Sequence, residues 1–235
     1  DYIATGHYAR IENYVLKLWK DKEKDQSYFL WTLTQKSLSH TIFPVGDLLK
    51  NEVRKLARKF NLPVSEKKDS QGICFIGDVS MEEFLSHFIS TESGKVLDTS
   101  GRIIGIHKGA FLYTIGERHG FEILKKKSED GAFFVVSKDI KSNTITVSNK
   151  EPEIVSLSPK KITIKAVNWI KEPMEPKIFA RIRYRGEKLS ANLSVFGNLP
   201  AGKAGKLAVE FDSPVRGLSL GQSIVFYQGE DCLGG

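Results

Sequence analysis

An α/β region followed by β structure is what the sequence predicts, and three observations carry that expectation. Residues 1 to 80 hold a short apolar strand pattern, a hairpin pattern and two amphipathic helical patterns. Beyond residue 93, short runs rich in Val, Ile, Thr and aromatics alternate with Gly-, Asn- and Asp-bearing turns as far as Gly235. At 235 residues, the chain exceeds the roughly 100–200 residues of a single domain, and its 40% hydrophobic and 27% charged content is ordinary globular usage.

In chain order, Asp1 to Thr5 reads as a buried strand that ends at Gly6-His7, where open α/β sheets gather ligand contacts. No starting Met precedes it, so the chain reads as one cut on its N-terminal side. Val15 to Trp19 alternates like part of a hairpin, and a charged loop, 20 to 25, follows. Ser27 to Leu38 reads as a helix. Val53, Leu56, Ala57 and Phe60 fall at i, i+3, i+4 and i+7 of a second helix that ends before Leu62-Pro63. The segment SEKKDSQGICFIG, 65 to 77, reads as a loop entering a short strand. Ser80 and Glu83 form a capping-box pattern before Phe84, Leu85, Phe88 and Ile89, which places a third helix there. The expected units are 1–80, a central β-rich unit at 81–157 and a C-terminal β unit at 160–235, with Ser156 to Pro159 as linker.

The formal net charge of +7 makes polyanions such as nucleic acid or an anionic membrane surface plausible partners, and equally suits a basic but indifferent surface. No apolar run approaches the roughly 18 residues of a membrane helix. The two cysteines, Cys74 and Cys232, lack metal-ligand spacing, which speaks against a zinc site or disulfide scaffold and for a reducing compartment. His40, His87, His107 and His119 show no metal spacing either, and no P-loop, G-x-G-x-x-G or H-E-x-x-H pattern occurs.

Four features carry candidate chemistry. Cys74 follows Lys67 and Lys68, whose ammonium groups favour a thiolate; equally, it sits among Ile73, Phe75 and Ile76 like a small packed hydrophobe. Cys232 has no basic neighbour and reads as packing. Arg181, Arg183 and Arg185 alternate, so on a strand they share one face, either as a phosphate-binding stripe with Tyr184 beside it or as charge guarding a sheet edge. Lys24, Asp25 and Gln26 precede a helix start, where Asp25 or Ser27 also suits a plain N-cap.

Taken together, DYIATGHYAR (1–10), KDQSYFL (24–30), FPVGDL (43–48), DSQGICFIG (69–77), YTIGERHG (113–120), RYR (183–185) and GQSIVFYQGEDCLGG (221–235) resemble, in order, the tRNA-specific 2-thiouridylases of the MnmA/TrmU type. The resemblance implies a Rossmann-like ATP-pyrophosphatase domain, a small central domain and a C-terminal β-barrel. It implies an ATP contact at Gly6 and tRNA contacts at His7, Lys24, Asp25, Gln26, Arg183, Tyr184 and Gln222. Cys74 becomes the residue that carries sulfur as a persulfide, a second family cysteine later forming a disulfide with it. ATP with Mg2+, tRNA, and a sulfur-donating carrier protein or desulfurase are the implied cofactor and partners, in the cytoplasm or an organelle. Oligomeric state stays open. The family's phosphate loop and N-terminal cysteine have no counterpart in these 235 residues, so the polypeptide by itself is expected to be inactive. Two other readings stay open: a non-catalytic RNA-binding module with a structural cysteine, and another adenylating enzyme of the superfamily acting on a small amide or acid.

Overall fold

The computed structural model describes residues 1–21, 24–66, 81–89, 92–124, 129–164, 166–196 and 206–235. Cys74 and the whole 69–77 motif, with the loop and short strand expected there, lie outside the described residues, as does Ser80 of the expected capping box.

The elements are β1 (Ile3–Ala4), β2 (Arg10–Glu12), β3 (Val15–Lys17), a 3-10 turn (Ser27–Phe29), α1 (Gln35–Leu38), β4 (Thr41–Ile42) and α2 (Lys50–Lys59). There follow α3 (Met81–Ser86), β5 (Gly94–Leu97), β6 (Ile103–His107), a second 3-10 turn (Ala110–Leu112), β7 (Phe121–Ile123), β8 (Phe134–Asp139), β9 (Thr144–Ser148) and α4 (Glu151–Ser156). The C-terminal strands are β10 (Lys161–Ile164), β11 (Lys177–Arg181), β12 (Leu189–Phe196), β13 (Lys206–Phe211), β14 (Val225–Gln228) and β15 (Asp231–Gly234). They sort into two compact units, one of Asp1–Lys67, Lys160–Ser213 and Gly221–Gly235, the other of Lys68–Pro159 and Pro214–Leu220.

The first unit is organised by an eight-stranded sheet in the order β10-β13-β12-β11-β14-β15-β3-β2. Its N-terminal contribution is the expected hairpin. Asn13 and Tyr14 both take positive φ, 51° and 62°, the two-residue turn whose twist matches that of paired strands. Register with the C-terminal half is set by Asp231 opposite Lys17, where Lys17 Nζ and Lys171 Nζ donate to the Asp231 carboxylate at 2.8 and 2.6 Å. Burial works against ionisation of Asp231, but these two ammonium groups outweigh it and hold its carboxyl below the usual range. The sheet buries Leu16, Ile178 and Phe211, together with consecutive residues Phe226 and Tyr227 of β14 and Cys232 and Leu233 of β15, whose two faces are both covered; Trp19, just past β3, is buried as well.

Three expectations in this unit need correction. The first strand is not buried: β1 pairs in parallel only with β4, and Tyr2 and Ile3 are 68% and 67% exposed, since the described chain lays no further layer over this pair. The helix expected over 27–38 divides in two. The Ser27 hydroxyl turns back to Asp25 and that of Tyr28 goes to the distant Ile182 carbonyl, and the chain restarts at Thr34, whose Oγ1 caps α1 by accepting from the Ser37 amide at 3.1 Å. The arginine stripe also fails, because β11 stops at Arg181; Arg185 has φ 60° and the Gly186 amide closes a turn on the Arg183 carbonyl at 3.0 Å. By contrast α2 lies where the 3.6-residue pattern puts it, its N-terminus held by Glu52, whose carboxylate accepts from the Leu49 amide at 2.6 Å.

The second unit carries a five-stranded sheet, β7-β6-β5-β9-β8, around Val96, Tyr113, Val135, Ile145 and Val147. The YTIGERHG motif is part of its framework: the Tyr113 hydroxyl donates to the Gly120 carbonyl, and the Gly116 amide donates to the Val135 carbonyl at 2.7 Å. A helix, α4, stands where the sequence suggested only β structure and a linker, with Pro152 in its first turn and Glu151 and Glu153 at its positive end.

Candidate nucleic-acid interface

The motifs singled out for tRNA contact meet around one short segment, 24–29, in the first unit. Its anchor is Asp25, which is 2% exposed. The carboxylate accepts from the Trp19 amide at 3.0 Å, the Ser27 amide at 3.3 Å, the Ser27 hydroxyl at 2.9 Å and Arg181 Nη1 at 2.7 Å. A carboxylate is stable away from water only with such pairing, so the inward-facing Asp25 secures the segment and does not present its charge to the surface. Arg181, expected on the outer stripe, is likewise buried, with its guanidinium also 5.3 Å from the Tyr227 ring.

From that anchor the chain reaches three other motifs. Gln26 clamps the TGHY loop: its Oε1 accepts from the Tyr8 amide at 2.8 Å and its own amide donates to the Tyr8 carbonyl at 2.9 Å. Within that loop the Tyr8 ring stacks on Trp19 at 4.1 Å, and the half-buried His7 has Nδ1 2.9 Å from Thr5 Oγ1. Gly6 is exposed just past the C-terminal end of β1, and a Cβ built on it would meet nothing within 4 Å. The glycine of FPVGDL closes the loop from behind, since a Cβ on Gly46 would lie 2.3 Å from the Ala9 carbonyl oxygen. Tyr28 connects to the other two motifs, its hydroxyl lying 3.0 Å from both the Ile182 and Ser223 carbonyl oxygens. Burial pushes the Tyr28 phenol up, against a smaller opposing pull from Arg183, so it stays a neutral donor. Ser223 directly follows Gln222, and Ile182 directly precedes the exposed Arg183.

Lys24, Gln26, His7, Arg183, Tyr184 and Gln222 are thereby gathered by one segment. Sequence reasoning missed Tyr28 and Phe29; the signal was an aromatic pair directly after KDQS, hidden by reading the stretch as a regular helix. Cys232 is the packed residue that the sequence suggested: it is fully buried in β15, and burial pushes its thiol up to about 12. A neutral, inaccessible thiol should not alkylate. Iodoacetamide treatment of the folded protein at pH 8, followed by peptide mass mapping, is expected to leave Cys232 unmodified and to label it only after unfolding; labelling in the native state contradicts the packed position. Among the described residues, no group of three or more His, Cys, Asp or Glu is placed to hold a metal ion, and no helix is long and apolar enough to cross a membrane.

Comparison with known proteins gives this architecture a class. Three consecutive family profiles match: a tRNA methyl transferase HUP domain over residues 1–78, a tRNA methyl transferase PRC-barrel domain over 82–149, and an aminomethyltransferase β-barrel domain over 159–235. An α/β domain followed by two β-rich domains is the class that fold and profiles define together. Among curated proteins, the chain is 43% identical over 248 residues to the tRNA-specific 2-thiouridylase MnmA 2 of Aliarcobacter butzleri, covering 100% of this chain and 66% of that protein. It is 38% identical to the tRNA-specific 2-thiouridylase MnmA of Akkermansia muciniphila (100% of this chain, 65% of that one) and 42% identical to that of Nitrosococcus oceani (99% and 64%). The chain belongs to the MnmA-type tRNA 2-thiouridylase family. It spans about 65% of the length of such relatives.

Proposed function

We propose that the protein takes part in making 2-thiouridine in tRNA, and that segment 24–29 organises its RNA-contacting surface. The observation that carries this is the convergence of the TGHY, RYR and GQS motifs on that segment, in a chain of net charge +7. His7, Lys24, Gln26, Arg183, Tyr184 and Gln222 contact tRNA, while Asp25 acts from inside by holding Gln26 in place. Gly6 gives ATP a close approach at a strand end, a reading supported by the open space where its Cβ would be. Any Mg2+ enters with the nucleotide.

Chemically, the C2 oxygen of a tRNA uridine attacks the α-phosphorus of ATP and pyrophosphate leaves. The terminal sulfur of a Cys74 persulfide then attacks C2, and the activated oxygen departs as AMP. A second cysteine cleaves the sulfur–sulfur bond and ends in a disulfide with Cys74, so each turnover consumes a persulfide supplied by a sulfur-donating protein and requires later reduction of the disulfide. The setting proposed is the cytoplasm, or an organelle in a eukaryote. The alternative of a pure RNA-binding module shares the surface but not the sulfur step.

The RNA surface is tested by titrating tRNA against wild-type chain and Arg183→Ala over a range of salt concentrations. Loss of one phosphate contact should weaken binding and flatten the slope of log affinity against log salt by about 0.7 to 0.9. If both affinity and slope match wild type, Arg183 does not touch the backbone and the assignment of this surface fails.

A further inference from the structure

Phe29 is 54% exposed although its neighbours Ser27 and Leu30 are buried. Its ring centroid lies 4.6 Å from that of Tyr184, the planes inclined by 41°. Both rings are held from behind. Tyr28 bonds to the Ile182 and Ser223 carbonyls and fixes the 3-10 turn against residues 182–184, and the left-handed backbone at Arg185 accompanies a guanidinium 5.2 Å from the Tyr184 ring. Arg183 and Arg185 are exposed on the same turn. The result is an aromatic pair, Phe29 exposed and Tyr184 half-buried, bordered by cations.

We propose that Phe29 and Tyr184 form a stacking platform for one unpaired nucleobase of the RNA, with Arg183 and Arg185 meeting the phosphates beside it. The inference rests on the tRNA reading above and adds a subsite, centred on Phe29, that the motif residues do not give. Single-stranded nucleic acid is the occupant because an aromatic ring can stack only on a base whose face is free, and duplex bases have both faces covered. The arginines favour the same occupant, since two exposed guanidinium groups beside the rings suit a polyanion whose phosphates flank a stacked base. Stacking is tolerant of base identity, so the platform orients an extruded or loop base without selecting its sequence.

Binding by the 235-residue chain is measured with a uridine-rich single strand of about ten nucleotides carrying one 2-aminopurine, with the matching duplex, and with tRNA. The wild type is expected to prefer the single strand and to quench 2-aminopurine. Phe29→Leu keeps bulk but removes the π face; it should weaken single-strand and tRNA binding about 5- to 150-fold, abolish the quenching and leave the salt slope unchanged. Phe29→Trp should restore both. Because Phe29 is largely exposed, thermal midpoints of the variants report that folding is intact. Wild-type RNA binding that ignores Phe29→Leu overturns the platform while leaving the tRNA reading standing, as does a loss that flattens the salt slope or is not restored by Trp. Absence of any tRNA binding by wild type overturns both.

Discussion

Arg181→Met is expected to lower the stability of the first unit by about 3–5 kcal/mol, the cost of stranding a buried charge. Its side chain is 9% exposed and that of Asp25 1%, with 2.7 Å between Nη1 and Oδ2. Removing the guanidinium leaves Asp25 inside with only the Trp19 and Ser27 donors. The pair need not be net stabilising for this to hold. Arg181 Nε has no hydrogen-bond partner, so replacing both members by neutral residues of similar size removes an orphaned donor along with the stranded charge. The double variant Asp25→Asn/Arg181→Met should therefore recover much of the loss, giving a large coupling energy in a double-mutant cycle. Chemical denaturation followed by far-UV circular dichroism supplies the four stabilities. Additive effects of the two substitutions contradict the anchor assigned to this pair.

Local pattern made part of the fold legible. The alternation of Val15 to Trp19 found the hairpin, and the spacing of Val53, Leu56, Ala57 and Phe60 found α2, because each signal is complete within a few residues. Where tertiary partners decide, pattern misled. Period 2 in residues 180–185 holds only while the strand continues, and it ends at Arg181 because that side chain turns inward to a carboxylate 156 residues earlier in sequence. Ser27 to Leu38 has helical spacing, yet the Ser27 and Tyr28 hydroxyls are committed to Asp25, Ile182 and Ser223. The union of the N-terminal hairpin with β15 had no sequence signal, since a β pairing records nothing of its partner in a single chain. Of the site, the motif residues were legible through family resemblance. Their convergence on 24–29, the internal role of Asp25 and the exposed ring of Phe29 needed coordinates.

The largest functional effect is expected at Cys74, which tests the sulfur step apart from the RNA surface. A persulfide needs a sulfur nucleophile at the start, and a thiol reacts as its thiolate, the form that the preceding Lys67 and Lys68 favour. Cys232 offers no substitute, as it is fully buried with its thiol pushed up to about 12. Serine matches cysteine closely in size but cannot hold a transferable sulfur at its side chain. In protein of the relatives' full length, Cys74→Ser should bind tRNA and ATP as wild type does, accumulate the adenylated tRNA and transfer no sulfur, while Cys232→Ser should keep thiolation. Mass spectrometry of nucleosides from the reacted tRNA reads the outcome directly. Abundant 2-thiouridine from Cys74→Ser would show that sulfur travels through another residue, and loss of tRNA binding in that variant would place Cys74 in the structure of the RNA surface instead of in its chemistry.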